Sequence, residues 1–171
     1  LLLQAVTDFE RIGDYATSIN DLSARLVADG HAFSETAKKE LAILSSALTE
    51  IIDLTVEAFA NGDEAMARRI EPLEEVIDEM VATLKDRHIA RLKNGSCTIG
   101  AGLVFIEVLT HMGRAADQCS SIAVFLLGRH NEEILNNHHA YLHELHKGTD
   151  AYYASEFEAR RREFLDPIET L

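Results

Sequence analysis

Apolar residues recur at three- and four-residue spacing through most of this chain, the period of amphipathic helices. Val6, Phe9, Ile12, Ala16 and Ile19 make the first stripe, and residues 1–28 are expected to form one helix closed by Gly30. Ser34 is placed to cap a second helix running to about Ala60, with Leu41, Leu44, Leu48, Ile51, Thr55 and Phe59 turned inward. Asn61-Gly62-Asp63 reads as a turn whose aspartate caps a third helix, Glu64 to about Leu92. Its stripe is Met66, Ile70, Leu73, Ile77, Met80 and Leu84, and Pro72 must kink or restart it. After Asn94-Gly95-Ser96, a fourth helix from about Thr98 to Leu127 turns Phe105, Leu109, Met112, Ala116, Cys119, Ile122 and Leu126 inward. Gly100 and Gly102 either weaken its first turns or let another element pack closely against them.

Past Gly128 the pattern turns polar. Residues 131–147 hold His138, His139, His143 and His146, and a piece over 150–165 carries Tyr152, Tyr153, Phe157 and Phe164 before ending near Asp166-Pro167. No stretch reads as a strand. Helices near thirty residues joined by short turns predict an all-α fold, an antiparallel helical bundle.

Composition narrows the partners. Asp plus Glu outnumber Lys plus Arg 29 to 16, a net charge of −13. That argues against a basic surface for nucleic acid and suits a cation, a basic partner or simply a solvated acidic surface. Cys97 and Cys119 form no CxxC pair, and reduced thiols in a cytoplasm are the simplest reading. No apolar run approaches the ~20 residues of a membrane span, and no signal-peptide pattern is present. The chain opens on Leu1 in what reads as mid-helix, so a piece of a larger protein is expected.

The candidate chemistry lies in carboxylates spaced one helical turn apart. Glu10 and Asp14 share a face, as do Glu74 and Asp78. Such pairs on facing helices supply the oxygen donors that hard or borderline cations take, though surface helices carry the same spacing without any metal. Asp8-Phe9-Glu10-Arg11-Ile12-Gly13-Asp14 is echoed by His111-Met112-Gly113-Arg114-Ala115-Ala116-Asp117. Arg11 pairs with Arg114 and Asp14 with Asp117 at one offset, which suggests an internal duplication, but Glu10 is matched by Gly113. His139, His143 and His146 would fall on one helical face and could hold zinc, or else form a packing face with Leu135 and Leu142. His88 and His111 stand alone and read as core or helix-end histidines. A di-iron carboxylate enzyme would need Glu-x-x-His on two helices, and the chain has none. It has no glycine-rich phosphate loop or GxSxG elbow either, so no catalyst is expected.

At Glu10-Arg11-Ile12-Gly13-Asp14 the sequence resembles the PhoU family, whose three-helix repeats carry the same run on their last helix. Pro72-Leu73-Glu74-Glu75-Val76-Ile77-Asp78, His88-Ile89-Ala90-Arg91-Leu92 and Gly95-Ser96-Cys97 look like the PhoU-like C-terminal cytoplasmic domain of bacterial sodium/phosphate cotransporter proteins. The resemblance implies that residues 1–29 are the last helix of a truncated first repeat. It implies further that 33–128 are a second repeat and that 129–171 are a polar helical extension. It also implies metal-cluster positions, for iron or zinc, at Glu10 and Asp14 in the first repeat and at Glu74, Asp78 and Asp117 in the second. Gly113 stands where the family has Glu, which leaves the second set one ligand short. The function so implied is a regulatory or accessory module of phosphate uptake, attached to or associated with a transporter membrane domain. Phosphate-signalling proteins are the other implied partners, and exposed faces left by missing helices could pair the chain with a second copy. The rival reading is a purely structural dimerisation module with a degenerate metal site.

Overall fold

The structure, a computed structural model, describes residues 2–171. Leu1, where the expected first helix begins, lies outside the described residues. Among the described residues there is no strand. The elements are α1 (Leu2–Ala28), α2 (Glu35–Asn61), α3 (Glu64–Ala67), α4 (Ile70–Lys93), α5 (Ile99–Gly128), α6 (Glu132–Asn136), α7 (His138–His146), α8 (Ala151–Arg160) and α9 (Asp166–Glu169). A five-residue π turn, Arg161–Leu165, joins the last two.

The helix ends follow local chemistry. Ser34 accepts from the Ala37 N–H, Asp63 from Met66 and Thr98 from Ala101, each satisfying a first-turn donor that the helix itself cannot. Gly62 ends α2 at φ 63°, in the left-handed region that glycine enters without steric cost. Pro72 resolves as a restart rather than a kink. The expected single helix from Glu64 is two helices, and Pro72 sits in the first turn of α4, where its missing N–H has no partner to lose. The polar stretch 131–147 likewise splits, at Asn137. The final helix passes Asp166-Pro167 instead of stopping there. The π turn widens the backbone just before Pro167, whose ring would clash in a regular α-turn.

α5 is the centre of the molecule. It packs against α1, α2 and α4, while α2 and α4 also meet, and α8 lies on α4. By length and composition α5 could cross a membrane, but it is the core helix here, with Phe105, Leu109, Ala116, Cys119 and Ile122 fully buried. Leu44, Ile51, Leu73, Ile77, Met80 and Leu84 meet them from α2 and α4. On α1 the expected stripe is only partly right. Phe9, Ile12 and Ile19 pack on the core, but Val6 and Ala16 face outward, and Ala5, Asp8, Leu22 and Leu26 are the buried positions.

Close packing, not weakened helix, explains the glycines that open α5. A Cβ on Gly102 would lie 2.8 Å from His88 Nε2 and 2.9 Å from Leu92 Cδ2. His88 itself is buried, stacked on Phe105 at 4.6 Å between ring centres. Gly102→Ala should therefore destabilise the fold by about 1–3 kcal/mol. Gly13→Ala should stabilise it by about 0.5–1 kcal/mol, because among the described residues no neighbour lies within 4 Å of a Cβ there. Urea denaturation of the two variants checks both signs.

Candidate metal centre

α4 and α5 bring three of the five predicted ligands together. Glu74 and Asp78 lie a turn apart on α4, Asp117 faces them from α5, and one carboxylate oxygen of each falls within 4.8 Å of the other two. Glu74 is buried, whereas Asp78 and Asp117 are exposed, so the group opens to solvent on one side. Gly113 is buried one turn before Asp117, and a Cβ there would rest 3.7 Å from Val81, an ordinary contact. Glu10 and Asp14 sit exposed on one face of α1 and join no group of three or more metal-ligand side chains among the described residues.

The donor chemistry fits a divalent cation. Burial, followed by the Glu71, Asp78 and Asp117 carboxylates, pushes Glu74 up to about 10. Asp78 is raised for the same reasons, burial first and Asp117 next. Without a cation the site must therefore hold a proton on Glu74 at neutral pH, and a metal ion would take that proton's place. The unfolded glutamate loses its proton near 4.5 and the folded one only near 10, so between those values the folded chain holds more protons. Metal-free protein should accordingly lose stability as pH rises from about 5 towards 10. Thermal melts in chelator across that range check the sign, and a melting temperature rising with pH would refute it.

Sequence reasoning missed the neighbours that frame this group. Glu71 is buried; it accepts a hydrogen bond from the Ser120 hydroxyl, and its Oε1 lies 2.8 Å from His146 Nε2. That contact raises His146 above the ordinary histidine value, against the effect of burial. His146 therefore leaves the expected histidine row. His143 is exposed beside Glu144, and His139 is exposed with its ring 4.1 Å from that of His138. The signal for Glu71 was in the sequence, since Glu71, Glu74, Glu75 and Asp78 make an acidic stripe over two turns. Of the two arginines in the repeated motif, Arg11 reaches the buried Asp8 at 3.8 Å, while Arg114 makes no ion pair among the described residues.

Comparison with known proteins adds the family context. The PhoU domain matches residues 41–126, half of the chain. The phosphate-specific transport system accessory protein PhoU homolog 1 of Thermotoga maritima is 25% identical over 138 residues. The alignment covers 78% of this chain and 59% of that protein, so the chain spans about three-fifths of the length of the relative. No solved structure matches.

Proposed function

The chain belongs to the PhoU family, and from that premise we propose that it is a regulatory or accessory module of phosphate uptake that carries a metal ion at Glu74, Asp78 and Asp117. The convergence of these three carboxylates across α4 and α5 is the observation that carries the metal reading. The ion would be iron or zinc, held by carboxylate oxygens and water in the solvent-open positions. Its role in this reading is structural and regulatory, in line with the relative that is named an accessory protein of a phosphate-specific transport system.

In this reading residues 33–128 are one complete repeat, within which the PhoU match falls. Residues 1–29 are the last helix of a preceding repeat, and 129–171 are an extension. Glu10 and Asp14 are then candidate ligands of a separate site that belongs to that preceding repeat. The resemblance of Glu74-Glu75-Val76-Ile77-Asp78 and its surroundings to cotransporter C-terminal domains supports placement on the cytoplasmic side of a phosphate transporter's membrane domain. The module would act on that domain in cis, or pass phosphate status to signalling proteins.

The test is phosphate uptake by cells that express the protein. Asp78→Ala/Asp117→Ala should relieve the restraint on uptake in phosphate-rich medium and leave protein abundance unchanged. Uptake that responds neither to this variant nor to removal of the whole module would overturn the reading. A structural dimerisation role has one observation in its favour, the exposed Leu3, Val27, Ile99 and Leu103. Sedimentation would show it as a stable dimer whose formation is indifferent to metal.

A further inference from the structure

A cavity of about 360 Å³ lies where α1 and α5 meet α6 and α7. Small-molecule pockets span about 300–1,000 Å³, so this one has room for a small occupant. Local packing builds it. Gly128 is the last residue of α5, and a Cβ there would lie 3.1 Å from Leu135 Cδ1 and 3.3 Å from its Cα, so the glycine is what lets α6 close over α5. Leu135 from α6 and Leu142 from α7 then make an apolar wall with Val124 and Phe125 of α5. Phe125, Leu135 and Leu142 are only half-buried, so water covers apolar surface that a ligand would take from it.

Asp8 lines the same cavity and gives it a charge. It is 2% exposed, a burial that carboxylates tolerate when a cation partners them. Its own neighbours partner it incompletely. Gln4 Nε2 donates to Oδ1 at 3.0 Å, and the exposed Arg11 stands 3.8 Å from that same oxygen, beyond the ~2.7–2.9 Å of a charge-assisted hydrogen bond. Among the described residues no hydrogen bond reaches Oδ2, and no lysine or arginine lines the cavity. Ser120, another lining residue, donates its hydroxyl to the buried Glu71, so a second carboxylate stands behind the wall. Both charges make the cavity favour a positive occupant.

We propose that this cavity binds a small organic cation, an ammonium group on a short apolar body, with Asp8 as its counter-charge. The leucine and phenylalanine wall takes the body, and Asp8 accepts from the ammonium. A metal ion is a poor occupant, because one carboxylate among apolar side chains does not replace its shell of oxygen ligands. The proposal is independent of the metal at Glu74, Asp78 and Asp117 and holds whether or not that site fills.

Hexylammonium is the probe and hexanol its uncharged counterpart. Each is titrated into the full chain with chelator present. His138 is the other titratable side chain on the lining, so the titration is run at about pH 8, above the ordinary histidine range. Amide chemical shifts of isotope-labelled protein report where each probe binds. Hexylammonium should move the amides of Ser121, Val124, Leu135 and Leu142 and saturate, and hexanol should bind roughly tenfold or more weakly. Asp8→Asn keeps an acceptor for Gln4 but removes the charge, and it should weaken hexylammonium by roughly tenfold or more while leaving hexanol unchanged. Leu142→Arg should abolish binding of both by placing a fixed cation in the cavity. α7 buries no residue, so this variant folds even where Asp8→Asn does not. Asp78→Asn/Asp117→Asn should bind hexylammonium as wild type does. Equal affinities for the two probes, the absence of a saturable shift, or binding that follows Asp78 and Asp117 instead of Asp8 and Leu142 overturns the proposal.

Discussion

Glu40→Ala is expected to destabilise the protein by about 3–5 kcal/mol, the cost of stranding a buried charge partner. Glu40 is fully buried in α2. Its Oε1 accepts from Arg87 Nε at 2.7 Å and Arg91 Nη1 at 3.0 Å, and its Oε2 accepts from Arg91 Nη2 at 2.8 Å. The two guanidiniums come from the far end of α4 and are only 29% and 14% exposed, so neither can turn fully to water when the carboxylate goes. Arg91 also lies 5.5 Å from the Phe105 ring centre, on which His88 stacks. Burial and the neighbouring Arg91 charge lower the His88 pKa, which disfavours a further positive charge in the cluster. The loss should lower Tm by roughly 6–20 °C, at about 2–4 °C per kcal/mol for a chain of this size. Glu35→Ala is the control, because its pair with Lys38 is exposed and worth little. Equal melting temperatures for the two variants would show that the Glu40 cluster does not hold α2 to α4.

Metal loading should produce the second large effect. An ion at a free concentration of about 100 times its dissociation constant stabilises the folded state by about 2.7 kcal/mol, which raises Tm by roughly 5–10 °C. In Asp78→Asn/Asp117→Asn that rise at the Glu74 site should vanish. The metal-free variant should meanwhile melt slightly above metal-free wild type, since two carboxylates that crowd Glu74 are gone. Both aspartates are exposed, so solvent screening keeps this relief to about 1 kcal/mol. Opposite signs in the two states separate a metal site from a merely repulsive acidic patch. A double variant less stable than wild type in chelator would mean that the aspartates serve the fold itself.

The helices and their inward faces were legible because α2, α4 and α5 each bury a continuous apolar stripe, and period alone identifies such a face. Period failed where a polar residue is buried. Asp8 occupies an inward position on α1 with Gln4 as its hydrogen-bond partner, so the stripe was read through Val6 and Ala16 instead. Glu40 looked like an ordinary surface glutamate because its partners, Arg87 and Arg91, are far along the chain. The pairing of Glu74 and Asp78 was local and visible, and the repeated motif pointed to Asp117 as the residue that faces them. The histidine row had the right helical spacing, but spacing does not say which residue of α7 makes the side-chain contact with α4. That contact draws His146 to Glu71 and leaves His139 and His143 outside.

The most direct measurement is the metal content of protein purified without chelator or a histidine tag, beside Asp78→Ala/Asp117→Ala prepared identically. Near-stoichiometric iron or zinc in the wild type, with the share at Glu74, Asp78 and Asp117 lost in the variant, is the predicted result. Wild-type protein that binds neither ion, even after incubation with each, would contradict the metal centre and leave a helical module that works through its surfaces alone.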